Sequence, residues 1–193
     1  MLNQLPHAVL RRLSHSRCGP YHGFAMIIAV IGGDSPPPDV LPLAETVGRE
    51  LARRGHTLIC GGRGGVMEAA CRGARGAGGH TIGVLPGPDR SDMNPHVEFP
   101  IVTNLGYARN AVIVLTADAA IAVDGSYGTL SEIALALSAG KPVVGLGTWR
   151  LTNPDGLEDE RIVRVDDPVD AVERAVAAAE RASTGGSAQG VRT

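Results

Sequence analysis

Short apolar runs rich in β-branched residues alternate along the chain with longer stretches in which apolar positions recur at helical spacing. The apolar runs predict β-strands at residues 27–31, 57–60, 81–85, 97–102, 119–123, 142–146 and 162–165. The periodic stretches predict α-helices at residues 40–54, 66–77, 105–116, 130–139 and 168–182. The pattern therefore indicates a repeated βα unit.

The predicted strands are apolar at successive positions rather than at every second one. A strand of this composition is buried on both faces, which is typical of a parallel sheet covered by helices on both sides. We therefore predict an α/β fold of the Rossmann-like type, a doubly wound parallel sheet in a three-layer α/β/α sandwich.

The chain has 193 residues, 44% of them hydrophobic, which is enough for one buried core. We expect a single domain at residues 26–182, a flexible leader at residues 1–25 and a disordered tail at residues 183–193. The leader is either a flexible arm or an over-extended start of the reading frame. It has no apolar run long enough for a signal peptide or a membrane span, so we expect a cytoplasmic protein that does not contact membranes.

Charge and residue spacing argue against several kinds of partner. With 18 basic and 20 acidic residues the formal net charge is -2, so we expect a small ligand and no nucleic acid. Cys18, Cys60 and Cys71 show neither a disulfide framework nor zinc-ligand spacing, and the six histidines show no ligand spacing on a shared helix. We therefore expect no metal and no cofactor.

Glycines cluster where three of the predicted strands end, at Gly32-Gly33, Gly61-Gly62-Arg63-Gly64-Gly65 and Gly125-Ser126-Tyr127-Gly128. In a doubly wound sheet these strand ends share one edge, where helix N-termini direct free N–H groups into a common crevice. Glycine also lets a phosphate approach the backbone closely. The clusters predict a phosphate-binding site, although strand-to-helix turns also favour glycine for their own geometry.

The two common nucleotide motifs are absent. Gly32-Gly33 is not followed by a third spaced glycine, and no acidic residue closes the second strand, so a dinucleotide site is disfavoured. The single lysine, Lys141, precedes Pro142 at a predicted strand start, so there is no phosphate-binding Gly-Lys-Ser/Thr loop. The same position excludes a pyridoxal Schiff base, which needs a lysine placed within the site.

A carboxylate and a guanidinium fall beside the predicted crevice. Glu132 lies one turn inside a predicted helix, and Arg109 begins the preceding helix, where it can clamp a phosphate or hold Glu132 ionised. Two ordinary alternatives stay open. Thr129-x-x-Glu132 is also a capping box, in which Glu132 hydrogen-bonds the N–H of the cap residue, and Arg109 can be a solvated helix arginine.

Two motifs resemble those of the LOG-like family, which is similar to cytokinin riboside 5'-monophosphate phosphoribohydrolases and is often mislabelled as lysine decarboxylase. The run Gly61-Gly62-Arg63-Gly64-Gly65-Val66-Met67 is similar to the family's GG-x-x-G(L/V)M loop. The run from Gly125 to Glu132 is similar to most of PGG-x-GT-x-x-E, and Arg109 matches the family's upstream arginine. The resemblance spans about residues 27–146 and looks closest to a bacterial subgroup that includes proposed molybdenum cofactor carriers.

For the enzymatic members, the resemblance implies hydrolysis of the N-glycosidic bond of a nucleoside 5'-monophosphate to free base and ribose 5-phosphate. It implies that Arg109 and Glu132 are catalytic, with Glu132 stabilising an oxocarbenium-like transition state or activating water. The implied phosphate- and nucleotide-binding residues are Gly32, Gly33, Gly61, Gly62, Gly64, Gly65, Met67, Gly125, Ser126, Tyr127, Gly128 and Thr129.

The resemblance also implies a homodimer. Candidate contacts are the apolar residues of one helix, which can equally be ordinary core: Leu130, Ile133, Leu135 and Leu137.

The chain departs from the enzyme pattern at Asp124-Gly125-Ser126, where those enzymes carry Pro-Gly-Gly. Ser126 adds a side chain near the expected phosphate, and Asp124 adds a negative charge. Three hypotheses follow: a phosphoribohydrolase acting on a purine nucleoside monophosphate, a non-catalytic carrier of a phosphorylated pterin such as the molybdenum cofactor, and a nucleotide sensor. The sequence leaves open which ligand binds and whether Arg63 and Arg90 reach the site.

Overall fold

The computed structural model of the protein describes residues 25–185, and every strand and helix predicted from the hydrophobic pattern is present there. The strands are β1 (Ile27–Gly32), β2 (Thr57–Cys60), β3 (Thr81–Leu85), β4 (Phe99–Val102), β5 (Ala119–Val123), β6 (Val143–Leu146) and β7 (Ile162–Val165). The helices are α1 (Val40–Arg53), α2 (Val66–Gly76), α3 (Arg109–Thr116), α4 (Tyr127–Ser138) and α5 (Pro168–Gly185).

The strands form one parallel sheet in the order β4-β3-β2-β1-β5-β6-β7. Strand β1 pairs with β2 on one side and with β5 on the other, where Val30 lies opposite Ile121. The chain thus extends the sheet outward from β1 in one direction and then returns to extend it in the other. This reversal of strand order defines a doubly wound sheet, so the predicted Rossmann-like fold class is confirmed.

Successive residues of β1 point to opposite faces of the sheet, so one strand contributes to two cores. Ile28 and Val30 pack in the core formed with α1, α2 and α5. Ala29 and Ile31 pack in the core formed with α3 and α4. The sheet is therefore covered on both faces, and this is why the strands are apolar at successive positions.

Helix α4 begins at Tyr127, three residues earlier than predicted. Gly125 has a φ of 136° and Ser126 has extended backbone, and these two residues end the strand-to-helix turn. The glycine-rich start that sequence reasoning assigned to a loop is therefore helical, because tertiary context overrides the weak helix propensity of Gly128.

Two other helix boundaries differ from the prediction by three residues or more. The helix expected at residues 105–116 is divided into a 3-10 turn at Gly106–Ala108 and helix α3. Helix α5 continues to Gly185, three residues beyond its predicted end, and the Ser183 hydroxyl donates a hydrogen bond to the Ala179 carbonyl within it. The leader before residue 25 and the tail after residue 185 lie outside the described residues.

The four apolar residues proposed for a dimer contact on α4 have different environments. Ile133 is fully buried in the core with α3, so for this residue the core interpretation is correct. Leu130 and Leu137 are half-buried, and Leu135 is exposed.

Among the helices at residues 25–185, none has the length and apolar character needed to span a bilayer.

Candidate functional site

A cavity of about 310 Å³ opens where β1 and β5 end, at the point where the strand order reverses. This is the position at which doubly wound sheets place ligands. Its lining residues are Gly32, Asp34, Arg63, Met67, Tyr107, Arg109, Asn110, Ser126, Tyr127, Gly128, Thr129 and Glu132.

The structure separates the predicted site residues into two groups. Eight of them line the cavity: Gly32, Met67, Arg109, Ser126, Tyr127, Gly128, Thr129 and Glu132. The other six lie in the turns around it: Gly33, Gly61, Gly62, Gly64, Gly65 and Gly125. Five of the eight predicted residues that line the cavity come from the start of α4, whereas the glycines at residues 61–65 lie in the turn between β2 and α2.

Arg109 and Glu132 face each other at the floor of the cavity. The Arg109 Nη1 atom lies 4.0 Å from Glu132 Oε1, which is within ion-pair range and too long for a hydrogen bond. Arg109 is 9% exposed and Glu132 is 6% exposed. The interpretation of Arg109 as a solvated helix arginine is therefore wrong, because its guanidinium is buried beside a carboxyl group.

Burial is the largest influence on the pKa of both groups. It raises the pKa of Glu132 to about 7, against the opposing attraction of Arg109. It also lowers the pKa of Arg109, against the opposing attraction of Glu132. A carboxyl group with a pKa near 7 can take up and release a proton at neutral pH, which is the property required of an acid–base catalyst.

The N-terminus of α4 presents hydrogen-bond donors to the cavity. The backbone N–H groups of Tyr127, Gly128 and Thr129 find no acceptor among residues 25–185. In the same part of the chain, only three buried side-chain polar atoms lack a partner, and two of them belong to the cavity lining, Thr129 Oγ1 and Arg109 Nη1. Buried polar groups without partners are rare, and these two lie beside the N-terminus of α4, an arrangement that favours an anionic ligand.

The capping-box interpretation of Glu132 is wrong. Ser126 occupies the N-cap position of α4, so Thr129 is the third residue of the helix rather than its cap. No side chain caps this N-terminus by a hydrogen bond. The Glu132 carboxylate lines the cavity instead, one turn further into the helix.

The glycines of the second cluster make room for their neighbours. A Cβ atom on Gly61 would lie 2.0 Å from Arg109 Nη1, and one on Gly65 would lie 2.5 Å from the Asp34 carbonyl oxygen. Gly65 also has a φ of 64°, which favours glycine. Gly61 therefore lets the Arg109 guanidinium reach the cavity floor. Gly65 lets the loop after β2 pack against the loop after β1.

Asn94, which comes later in the chain, forms two hydrogen bonds to the glycine-rich loop at residues 61–65. Its backbone N–H donates to the Gly62 carbonyl oxygen at 2.9 Å, and its side-chain Nδ2 donates to the Arg63 carbonyl oxygen at 2.9 Å. Asn94 is itself buried. The loop is held by two bonds to one residue that sequence reasoning did not assign to the site.

Residues 124–126, where the chain departs from the enzyme pattern, are hydrogen-bonded by the loop that follows β6. The Thr148 hydroxyl donates to the Asp124 carbonyl oxygen at 2.5 Å, and Trp149 Nε1 donates to the Ser126 carbonyl oxygen at 3.1 Å. Asp124 has a φ of 50° and does not line the cavity, whereas Ser126 does. The residue that carries the extra charge is therefore outside the cavity lining, whereas the residue that carries the extra hydroxyl group is part of it.

Sequence reasoning did not assign four lining residues to the site: it missed Asp34, Tyr107 and Asn110, and it left Arg63 open. Each lies within a glycine cluster, next to one, or within two positions of Arg109, and this proximity was the available signal. Arg63 Nη2 lies 3.5 Å from Asp34 Oδ2, and Asn110 Nδ2 donates to the Ser131 hydroxyl at 2.8 Å. Arg63 thus reaches the cavity, and Arg90 does not line it.

Other reactive groups lie apart from the cavity lining. Residues 25–185 contain no group of three or more His, Cys, Asp or Glu side chains arranged to hold a metal ion. The buried thiols of Cys60 and Cys71 have their sulfur atoms 3.5 Å apart, and Cys18 lies outside the described residues. Lys141 precedes β6, at the opposite edge of the sheet from the cavity.

Two curated relatives match more than half of this chain. An uncharacterized protein of Archaeoglobus fulgidus is 45% identical over 122 residues, covering 63% of this chain and 80% of the relative. The cytokinin riboside 5'-monophosphate phosphoribohydrolase of Mycobacterium tuberculosis is 34% identical over 120 residues, covering 58% of this chain. The match spans 64% of that enzyme's length.

Solved structures of the same fold include two proteins connected with the molybdenum cofactor. The molybdenum cofactor binding protein of Rippkaea orientalis superposes with a TM-score of 0.71 and 35% identity, covering 79% of this chain and 96% of that one. The Moco carrier protein of Chlamydomonas reinhardtii superposes with a TM-score of 0.68 and 38% identity, covering 79% and 98%.

The family assignment agrees with the motifs and with the fold. The model of the SLOG cluster4 family matches residues 25–172, which include all strands of the sheet and every residue that lines the cavity. The predicted resemblance to LOG-like proteins is confirmed, and the chain belongs to the SLOG cluster4 family.

Proposed function

We propose that the protein hydrolyses the N-glycosidic bond of a purine nucleoside 5'-monophosphate, releasing the free base and ribose 5-phosphate. The observation that carries this proposal is the buried pair of Arg109 and Glu132, whose closest charged atoms are 4.0 Å apart at the floor of the cavity. The mycobacterial phosphoribohydrolase, at 34% identity, supports the same reaction class.

The 5'-phosphate would bind at the start of α4. The free N–H groups of Tyr127, Gly128 and Thr129 and the Thr129 hydroxyl group provide donors, and the helix dipole adds a favourable field. Arg63 stands at the same cavity and would add a forked donor. These groups are fixed before the ligand arrives, so binding requires little reorganisation.

Glu132 would act on the ribose. Breaking the glycosidic bond builds positive charge on the sugar, and an ionised carboxylate stabilises that charge or takes a proton from the attacking water. A pKa of about 7 leaves a large fraction of Glu132 ionised at neutral pH. Arg109 favours the ionised form and contributes a free Nη1 donor to the ligand.

The test is release of free base and ribose 5-phosphate from AMP and from an N6-substituted AMP. The comparison variants are Glu132→Gln and a matched control, Glu160→Gln, in which an exposed carboxylate far along the chain is neutralised. Release by the wild type and Glu160→Gln, with loss of at least 100-fold in Glu132→Gln, supports the proposal. Absence of release from either nucleotide by the wild type contradicts it.

A second candidate is a carrier of a phosphorylated pterin such as the molybdenum cofactor. The Rippkaea and Chlamydomonas proteins superpose on this chain over 96% and 98% of their lengths, at 35% and 38% identity. Asp124 and Ser126 also replace the residues expected in the hydrolases. Tight binding of a phosphorylated pterin without nucleotide turnover favours the carrier. Binding of a nucleotide that is not hydrolysed, with no preference for the pterin, favours a nucleotide sensor.

We also propose that the protein is a cytoplasmic homodimer that associates through the face formed by α3 and α4. Leu115 of α3 is 58% exposed and Leu135 of α4 is 39% exposed. The cytoplasmic location is supported separately by the free buried thiols of Cys60 and Cys71, which fit a reducing compartment. Light scattering should give twice the chain mass for the wild type and a shift toward the monomer for Leu115→Glu combined with Leu135→Glu. A monomeric wild type contradicts the dimer.

A further inference from the structure

Aromatic side chains are concentrated at the candidate site. Residues 25–185 contain four Phe, Tyr or Trp residues. Tyr107 and Tyr127 line the cavity, and Trp149 contacts Tyr127, so Phe99 alone among the four lies away from the cavity. Large aromatic side chains are normally placed where they bury their surface.

The two tyrosines are among the most exposed apolar groups of the structure. Tyr107 is 85% exposed and Tyr127 is 80% exposed. Each stands two positions before a buried polar residue of the cavity floor, since Arg109 is 9% exposed and Thr129 is 1% exposed. The 3-10 turn before α3 and the first turn of α4 thus both place an aromatic ring at the rim and a polar group at the floor.

Trp149 packs beside the ring of Tyr127. The two ring centroids are 5.5 Å apart with an interplanar angle of 39°. Trp149 is held in turn by its Nε1 hydrogen bond to the Ser126 carbonyl oxygen and by packing against the core beside α3 and α4. This contact restricts one side of the Tyr127 ring, which reduces the conformational entropy lost when a ligand stacks on the other side.

We propose that Tyr107 and Tyr127 form the walls that bind the planar heterocycle of the ligand, and that they select phosphorylated ligands with a flat aromatic ring over the sugar phosphate alone. This inference rests on the proposed binding of a phosphorylated ligand in the same cavity, and it does not depend on hydrolysis. The shared ligand chemistry is a fused nitrogen heterocycle joined to a phosphate. A purine nucleotide and a pterin phosphate both have it.

The test is equilibrium binding by calorimetry, with three ligands. Carbocyclic AMP carries the purine and the phosphate, and it has no ring oxygen to support glycosidic cleavage. Neopterin monophosphate carries a pterin in place of the purine. Ribose 5-phosphate has no heterocycle. The protein variants are Tyr107→Ala, Tyr127→Ala, the matching Tyr→Phe replacements, and Phe99→Ala as an exposed aromatic residue outside the cavity.

Each Tyr→Ala replacement should weaken binding of the preferred heterocyclic ligand by about tenfold, since base–aromatic stacking contributes on that order. The Tyr→Phe and Phe99→Ala variants should bind within about twofold of the wild type, because stacking needs the ring and not the hydroxyl group. Ribose 5-phosphate affinity should stay within about twofold in every variant.

Equal losses for ribose 5-phosphate and the heterocyclic ligands would overturn the inference, because they would mean that the tyrosines only maintain the phosphate site. Unchanged affinity for the heterocyclic ligands in both Tyr→Ala variants would overturn it as well. If the predicted pattern is found with carbocyclic AMP or neopterin monophosphate while AMP is not hydrolysed, the inference stands and the proposed hydrolysis fails.

Discussion

The guanidinium of Arg109 occupies the space that a side chain on Gly61 would need, because a Cβ atom on Gly61 would lie 2.0 Å from Arg109 Nη1. The two residues are 48 positions apart, and the fold brings them together where β2 ends and α3 begins. The absence of a side chain at Gly61 therefore decides where the positive charge of the cavity floor lies.

Replacing Gly61 with alanine should displace that guanidinium while keeping the fold. The clash involves the end of a flexible side chain, so the melting temperature should change little, and catalytic efficiency with AMP should fall by at least about tenfold because a charge-assisted contact is lost. Gly64→Ala is the matched control, since the nearest atom to its new Cβ would be 3.8 Å away. Equal activity of the two variants would contradict this role of Gly61.

Replacing Thr129 with valine should separate stability from ligand binding. The Thr129 Oγ1 atom is buried without a partner, so its removal should raise the free energy of unfolding of the ligand-free protein by roughly 1 kcal/mol. Phosphate-ligand affinity should fall by about tenfold, because a hydrogen bond to a charged group is lost. Thr129→Ser keeps the hydroxyl group and should retain affinity. Tight binding by the valine variant would show that the hydroxyl group does not contact the ligand.

The raised pKa of Glu132 should make folding stability fall with rising pH. The pKa moves from an ordinary value of 4.5 to about 7 on burial, so between these values the folded protein holds a proton that the unfolded chain releases. Stability contributed by the protonated form is therefore present below pH 4.5 and lost as pH rises through about 7.

Glu132→Gln mimics the protonated carboxyl group at every pH. Its unfolding free energy should exceed that of the wild type by up to about 3 kcal/mol at pH 8, and the difference should vanish near pH 4.5. Urea unfolding at several pH values measures this, with Glu160→Gln as the control. A pH-independent difference would mean that folding leaves the pKa of Glu132 at its ordinary value.

Turnover of AMP should follow the ionised fraction of Glu132. If Glu132 acts as a base or stabilises the ribose cation, kcat/KM should increase as pH rises through about 7 and then level off. The phosphate group itself titrates near pH 6, so ribose 5-phosphate affinity measured over the same range serves as the control. A rate that falls above pH 7 would instead identify Glu132 as a proton donor.

The hydrophobic pattern was sufficient to predict the order of the strands and helices, and it gave the bounds of every strand to within two residues. A strand such as β2 was predicted at its observed bounds because burial on both faces imposes a continuous apolar run on the sequence. The glycine clusters also predicted which edge of the sheet carries the cavity, because parallel strands align their carboxyl ends.

Helix starts were predicted less well, and the start of α4 mattered most. From the sequence, Thr129-x-x-Glu132 is a valid capping box, and only the backbone at Gly125 and Ser126 places Thr129 inside the helix. Local sequence describes contacts a few residues apart. It does not contain the turn geometry that decides which of two starts the helix adopts.

The sequence by itself determined the fold class, the family motifs and the presence of a carboxylate and an arginine near the strand ends. Only the tertiary structure decided that Arg109 and Glu132 are buried together, that Gly61 makes room rather than lining the cavity, and that Trp149 supports Tyr127. The physical reason is the separation in sequence over which each interaction acts. Periodicity and turn chemistry act over a few residues, whereas burial, ion pairing and aromatic packing join residues that are close only after the sheet has formed.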